Sequence, residues 1–301
     1  MHLTIVLVNW RNLTQTIRCA QALKAWTMLK PVVLIVDNES TQASRDALGD
    51  ARVADNLLTS PINLGYGGGN NRGICAAARD AGSAIMLLNS DVDISEATAR
   101  QLLQRLDADD SLSIVGPALR EHVGGVPRCF VGGRDIARFP LTHVEVDPAR
   151  LHTLSGYPLL EVDYVPGTVF VTRGLVYEDV GLLDEQYFFS GEVADFCKRA
   201  RDRGHKICVD LQTEASHDAD HHAGTLRDSL YVYYNLRNRF LYVRKHYTRE
   251  KAKYFGYWTI AACRSAAVAV WRGRLSRCRA IVLALVHGYG NRYGDQNAKF
   301  I

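Results

Sequence analysis

Leu3 to Val8 is an unbroken apolar run rich in β-branched residues, and it predicts a strand buried on both faces. From Asn12 to Trp26 the period changes: Leu13, Ile17, Ala20 and Leu23 recur at helical spacing. Val32 to Val36 predicts a second buried strand, and Ser40 or Thr41 after it is placed to cap a short helix. Asn56 to Leu58 marks a third, weaker strand. Asn70 to Ala81 reads as an Ala-rich helix and Ala84 to Leu88 as a fourth buried strand. Alternating strands and helices predict an α/β fold, a mostly parallel sheet with helices on both faces. Ligands in such sheets bind beyond the carboxyl ends of the strands. Asn9, Asp37 and Asp91 fall at three such ends.

The pattern fades between about 115 and 160, where Gly and Pro are frequent and no period holds, so loop and short antiparallel strands are expected. Leu160 to Thr172 reads as a strand pair around Pro166-Gly167, Glu192 to Arg203 as a helix, and Ile207 to Val209 as a short strand. From Leu226 the chain reads as amphipathic helix to about residue 285.

Charge redraws this picture. The 301 residues carry a net charge of only +4, yet residues 226–301 hold 15 Lys and Arg against 3 Asp and Glu. The first 225 residues hold 21 against 29. The division predicts an acidic domain over 1–225 and a basic helical extension over 226–301. Aromatic and aliphatic residues (Tyr257, Trp258, Trp271, Ile281, Leu283, Leu285) stand among its arginines. That composition suits an anionic membrane surface; a helical cap or an oligomer contact through these helices is the plainer use. No nucleic-acid-binding module is recognisable, so no nucleic acid is expected. Seven cysteines without a C-x-x-C pair argue against zinc and disulfides and for a reducing compartment. The N-terminus has no basic region or cleavage site, and no apolar run reaches about 18 residues, so neither a signal peptide nor a transmembrane helix is expected.

Four constellations carry chemistry. Asp91-Val92-Asp93 directly follows a buried strand, so two carboxylates could share one hard cation, Mg²⁺ or Mn²⁺. Asn63 to Gly73 is a Gly-rich run before a helix, which would let backbone amides approach a phosphate. It is neither a Walker loop nor a dinucleotide fingerprint. Glu192 and Asp195 lie three apart at a helix start, able to accept a proton or simply to suit the dipole. His217, His221 and His222 form the fourth, as metal ligands or as a polar loop.

In order, these segments resemble the family 2 glycosyltransferases of the GT-A fold. The resemblance rests on Val8-Asn9-Trp10, Val36 to Ser40, Asn63 to Asn70, Leu88 to Asp93 and Val165 to Thr168 over about residues 1–220. The Gly-rich segment and Tyr233 to Asn238 look most like the rhamnosyltransferase-type branch of bacterial surface-glycan synthesis. The resemblance implies an inverting, metal-dependent transfer from a nucleotide-diphosphate sugar, dTDP-rhamnose first and a UDP-sugar second. The acceptor would be a lipid-linked or polysaccharide glycan, met by a cytoplasmic enzyme peripheral to the inner face of the membrane. Asn9, Asp37, Asn63, Gly65, Gly68, Asn70 and Asp91 would bind the donor. Asp91, Asp93 and His217 would hold the metal. The family usually has Glu-Asp at the helix start with the Asp as base; here the pair is Glu192-Val193. Glu192 is therefore expected to serve as base, with Asp195 second. The rival reading is a catalytically inactive sugar-nucleotide or polysaccharide-binding member of the same fold. A nucleotidyltransferase is disfavoured because Asn9 to Leu13 lacks glycines.

Overall fold

A computed structural model describes residues 1–123, 126–139, 142–148, 158–217 and 226–300. The first half alternates as expected. β1 (His2–Asn9), α1 (Leu13–Lys24), β2 (Val32–Asn38), α2 (Gln42–Ala51), β3 (Asn56–Ser60), α3 (Gly65–Ala76) and β4 (Ser83–Leu88) follow in turn. A short β5 (Val92–Ile94) and α4 (Glu96–Ala108) come next, then β6 (Leu112–Val123), β7 (Val126–Gly133) and β8 (His143–Val146). β9 (Leu159–Glu161), β10 (Val169–Arg173), α5 (Gly174–Val180), α6 (Glu192–Arg201) and β11 (Lys206–His217) complete the sheet region. Three helices close the chain: α7 (Leu226–His246), α8 (Lys251–Trp271) and α9 (Leu275–Tyr289).

The main strand order is β3-β2-β1-β4-β10-β6-β11-β5. β3, β2, β1 and β4 run parallel, whereas β10 enters antiparallel beside β4. Chain order reverses between β2-β1 and β1-β4, which opens a crevice at the carboxyl ends of β1 and β4. Side chains alternate across the sheet. Leu3, Ile5 and Leu7 of β1 join Leu23 of α1 and Leu102 of α4 on one face. Val6 of β1 joins Ile74 of α3 and Phe196 of α6 on the other.

α2 begins as predicted: Thr41 caps it, with its side chain accepting from the Ser44 amide. α3 does not. The expected helix over 70–81 instead starts at Gly65, and the Gly-rich run lies inside it. The reason is packing. A Cβ on Gly73 would stand 2.3 Å from Val6 Cγ1, and one on Gly69 would stand 2.9 Å from Val8 Cγ1. The glycines let α3 sink onto β1.

The middle segment is more regular than its composition suggests. β6 is twelve residues long and pairs with β10, β11 and β7. β11 also has twelve residues rather than the three expected, and it ends at His217. β9 and β10, expected as one pair, join different neighbours, β9 to β11 and β10 to β4 and β6. The C-terminal helices share the central core: Phe240, Tyr242, Phe255 and Trp258 lie in the same buried cluster as Phe170 and Phe196.

This packing predicts opposite outcomes for two glycines. Gly73→Ala must push Val6 aside and should cost about 1–3 kcal/mol in urea unfolding. Gly49→Ala, on α2 with nothing within 4 Å of the added carbon, should gain about 0.5–1 kcal/mol.

Candidate active site

Asn9 and Asp37 end β1 and β2 side by side. Asn9 Nδ2 donates to Asp37 Oδ1 at 2.7 Å, and the Ser44 hydroxyl donates to Asp37 Oδ2 at 2.5 Å. Thr16 Oγ1 holds the Asn9 side-chain oxygen at 3.0 Å. Each Asp37 oxygen keeps acceptor capacity for a ligand donor. Beside them Trp10 is exposed, its indole nitrogen donating to Glu39 at 2.8 Å.

The Gly-rich segment is spent differently from the phosphate cradle expected of it. The Leu64 amide donates to Asn38 Oδ1, the Gly65 amide to Asn63 Oδ1 and the Tyr66 amide to the Phe188 carbonyl. These amides at the start of α3 are satisfied internally. Gly65 has a φ of +71°, and a Cβ there would stand 2.2 Å from the Phe188 carbonyl oxygen. A Cβ on Gly68 would meet Leu64 at 2.9 Å, and Asn70 turns back to bond the Tyr66 carbonyl. Asn63 and Gly65 thus lock the start of α3 to β2 and to the 184–188 loop, Gly68 gives room to Leu64 and Glu185, and Asn70 bonds only within its own helix. Asn71, which nothing in the spacing marked, completes the lock by exchanging two hydrogen bonds with Leu183.

Asp91 follows β4 and meets His217 at the end of β11, with Nε2 to Oδ2 at 3.5 Å. Glu121 of β6 holds the other ring nitrogen, Nδ1, at 2.6 Å. Burial alone would lower the imidazole, but the Asp91 and Glu121 carboxylates prevail and push it up to about 9. Nε2 is buried and makes no hydrogen bond of good geometry, although Asp91 faces it. Asp93 lies opposite Ser216 on β5, in an adjoining cleft lined by Cys19, Ala22 and Leu23 of α1. The Cys19 thiol is pushed up to about 12, chiefly by burial and then by the charges of Asp93 and Asp91. Both carboxylates therefore stand near it, but the geometry brings only Asp91 to His217. Among the described residues no three His, Cys, Asp or Glu side chains are arranged to hold a metal by themselves. A carboxylate and an imidazole at a strand end do fit a cation completed by phosphate oxygens. His221 and His222 lie outside the described residues.

Glu192 and Asp195 sit one turn apart on α6 in opposite environments. Asp195 is fully buried and saturated: Lys245 lies at 2.5 Å, His246 at 2.8 Å, Arg199 at 2.9 Å and the Tyr187 hydroxyl at 3.2 Å. Burial would raise this carboxyl, but the His246 bond and the charges of Lys245 and Arg199 hold it far below the usual range. Such a carboxylate is an anchor with no capacity left for an acceptor proton. Among the described residues no cation pairs with Glu192. Burial pushes it up to about 7 against two backbone amides, its own and that of Ser190. Its Oε2 is buried and makes no hydrogen bond among the described residues. A carboxyl poised near neutrality suits a general base.

The Pro166-Gly167-Thr168 turn ties these groups together. The Thr168 carbonyl accepts from the Asn89 amide at 2.8 Å, two residues before Asp91. The Gly167 carbonyl accepts from the Tyr66 hydroxyl, and a Cβ on Gly167 would stand 3.3 Å from Val193. The loop before Glu192 is strained, with positive φ at Phe188, Ser190 and Gly191. Asn238 of α7 holds it by donating to the carbonyls of Tyr187, Phe189 and Ser190, and Arg237 adds the Tyr187 carbonyl at 2.8 Å. The Tyr233 to Asn238 segment is thus a clamp on the loop that carries Glu192.

No protein-family model matches the sequence. The chain is 25% identical to the low-salt glycan biosynthesis hexosyltransferase Agl10 of Haloferax volcanii over 271 residues, covering 87% of this chain and 83% of that protein. It is 28% identical to the N-acetylglucosaminyl-diphospho-decaprenol L-rhamnosyltransferase of Mycobacterium tuberculosis over 231 residues, 65% of this chain and 74% of that one. The fold matches a structure of GalNAc-T7 with UDP, GalNAc and Mn²⁺ at a TM-score of 0.65 and 13% identity, covering 96% of this chain and 56% of that one. It matches a Pyrobaculum calidifontis mannosyltransferase with GDP-Man and Mn²⁺ at 0.60 and 10% identity, covering 97% and 88%.

The two acids predict opposite stability effects. Asp195→Asn leaves Lys245 and Arg199 without their buried anion and should cost about 3–5 kcal/mol in urea unfolding at pH 7. The Asp195 contribution is present above the ordinary carboxylate range and fades as pH falls toward its lowered value, so the variant should lose less stability in acid. Glu192 is raised, so its ionisation opposes folding, and stability should fall as pH climbs from about 4.5 through about 7. Glu192→Gln should remove that fall and gain roughly 3 kcal/mol at pH 8, with little change at pH 4.

Proposed function

The chain is a glycosyltransferase of the GT-A fold, and we propose that it transfers a sugar, rhamnose first, from a nucleotide-diphosphate donor to a lipid-linked glycan acceptor with inversion. The observation that carries this reading is the pairing of two unlike acid sites across one turn. Asp91 faces His217 on one side of Pro166 to Thr168, and the buried, cation-free Glu192 lies on the other.

In this reading Asp37, oriented by Asn9 and Ser44, accepts a hydrogen bond from the nucleobase. Asp91 and His217 would be the protein ligands of a divalent cation, His217 once its Nε2 has given up its proton, with Asp93 close by. When bound, that cation would neutralise charge on the leaving diphosphate. Glu192 takes the proton of the acceptor hydroxyl as its oxygen bonds to the anomeric carbon. The bond from that carbon to the nucleoside diphosphate breaks, and its electron pair leaves with the diphosphate. Asp195 holds the frame in which Glu192 works. The M. tuberculosis relative, named for a rhamnosyl transfer to a diphospho-decaprenol, supports the rhamnosyl donor and lipid acceptor. The Mn²⁺ in both fold relatives supports the cation. A lipid acceptor implies an enzyme peripheral to the membrane, and among the described residues no helix is long and apolar enough to cross one.

The test uses dTDP-rhamnose and UDP-sugars with Mg²⁺ or Mn²⁺. Thermal shift should show donor binding in Glu192→Gln close to that of the wild type, while transfer falls by about 10² to 10⁴. Wild-type transfer should rise with pH through about 7 as Glu192 ionises. Asp91→Asn should lose the cation-dependent part of donor binding. Normal turnover in Glu192→Gln rules out Glu192 as base. Donor binding without turnover in the wild type favours the inactive reading that Val193 raises.

A further inference from the structure

The acceptor side of this reading needs a place where the protein meets the lipid. The expected lipid-facing residues are only partly available: Trp258 and Ile281 are buried, Trp258 in the central core with its indole on the Ala137 carbonyl. The exposed apolar side chains are others. Along α8 they are Tyr257, Ile260, Val268, Val270 and Trp271, and Leu275 follows at the start of α9. They culminate at the turn between the two helices, where Trp271 is 83% exposed and Leu275 69%. This is the most exposed large apolar pair among the described residues.

Along α8 and α9 the charge is of one sign. Lys251 to Gly294 contains eight Lys and Arg and no Asp or Glu. Arg264, Arg272 and Arg274 are exposed. Arg277 reaches back to Asp228 at 3.2 Å and Arg279 to the Lys299 carbonyl, so both point along the body. Two water-facing apolar side chains ringed by exposed arginines suit the boundary of an anionic bilayer. Indole and leucyl groups enter the acyl boundary while guanidinium groups meet phosphates.

We propose that the α8–α9 tip, Val268 to Leu275, is the lipid-docking element of this chain. The proposal deepens the lipid-linked-acceptor reading above and rests on it for its purpose. The occupant is an anionic lipid surface and not a second copy. A symmetric contact through this tip would bring the arginines of both chains together with no acid on either α8 or α9 to offset them. The location also joins membrane and site mechanically. α8 and α9 pack on α7, whose Arg237 and Asn238 hold the loop before Glu192.

The test is co-sedimentation of the full chain with phosphatidylcholine vesicles, with and without phosphatidylglycerol, in the absence of donor and acceptor. Binding should require phosphatidylglycerol and weaken with salt. The pair Arg272→Gln and Arg274→Gln removes two charges and should weaken binding by about thirtyfold. Trp271→Ala with Leu275→Ser should weaken it at least about tenfold at unchanged melting temperature, because both side chains are solvated in the free protein. Failure of the wild type to sediment, or equal sedimentation of the Trp271 and Leu275 variant, overturns the proposal. So does a dimer in sedimentation velocity that this variant dissolves, which would assign the tip to a second copy. Transfer to a water-soluble acceptor should be unchanged in either variant. Docking and catalysis are therefore read separately and can fail separately.

Discussion

One buried carboxylate holds the two halves of this molecule in register. Asp195 of α6 accepts from Lys245 and His246 of α7, from Arg199 of its own helix and from Tyr187 of the preceding loop. A charge without solvent is tolerable only when it is fully matched, and here every partner comes from an element that must be correctly placed. The ion cluster therefore reports on the packing of α6, α7 and the 185–191 loop together. It also fixes where α6 begins, and so where Glu192 stands.

That arrangement divides labour between two acids one turn apart. The cations gather on Asp195, and among the described residues none reaches Glu192. Desolvation then acts on Glu192 unopposed except by two amides, and its carboxyl drifts up to about 7. A neighbouring Lys would have pulled it back toward the usual range and blunted it as a base at neutral pH. Val193 fits the same logic. It packs against Gly167 in the turn and contributes no charge that would repel Glu192. The nearest carboxylate on the helix is Asp195, whose charge adds to the upward push on Glu192.

How much of this was legible depends on whether the signal is local. β1, β2 and β4 were plain, because a strand buried on both faces must be apolar at every position. The acids at strand ends followed from topology alone. The Gly-rich run is ambiguous in sequence, since a loop that cradles phosphate and a helix pressed onto a strand both demand glycine. Only the contact with Val6 and the amides taken by Asn38, Asn63 and Phe188 separate them. The apolar pattern marks only three residues of the twelve in β11, because Asp210, Thr213 and Glu214 interrupt it. The register shift between Asp210 and Glu214 lies where they do so. Glu121 had no sequence signal at all: it matters only because β6 and β11 run side by side, which sets it opposite His217. Asp195 is readable as an acid on the right helix face with Arg199 one turn on, but Lys245 and His246 lie fifty residues further, beyond the reach of any spacing argument.

The division of charge along the chain acquires a physical meaning from this coupling. A basic tail on an acidic body suggests two separable parts, yet α7 is inseparable from the site. Its Asn238 spends its amide on three carbonyls of a loop with three positive-φ residues, a backbone that local preferences would not hold alone. Cutting the chain at the charge boundary would release that loop and strand the Asp195 charge. Loss of activity in such a truncation would say nothing about lipid. The separable part is smaller, the tip where Trp271 and Leu275 are largely solvated. Point substitutions there can distinguish a surface that meets the membrane from a framework that positions a base.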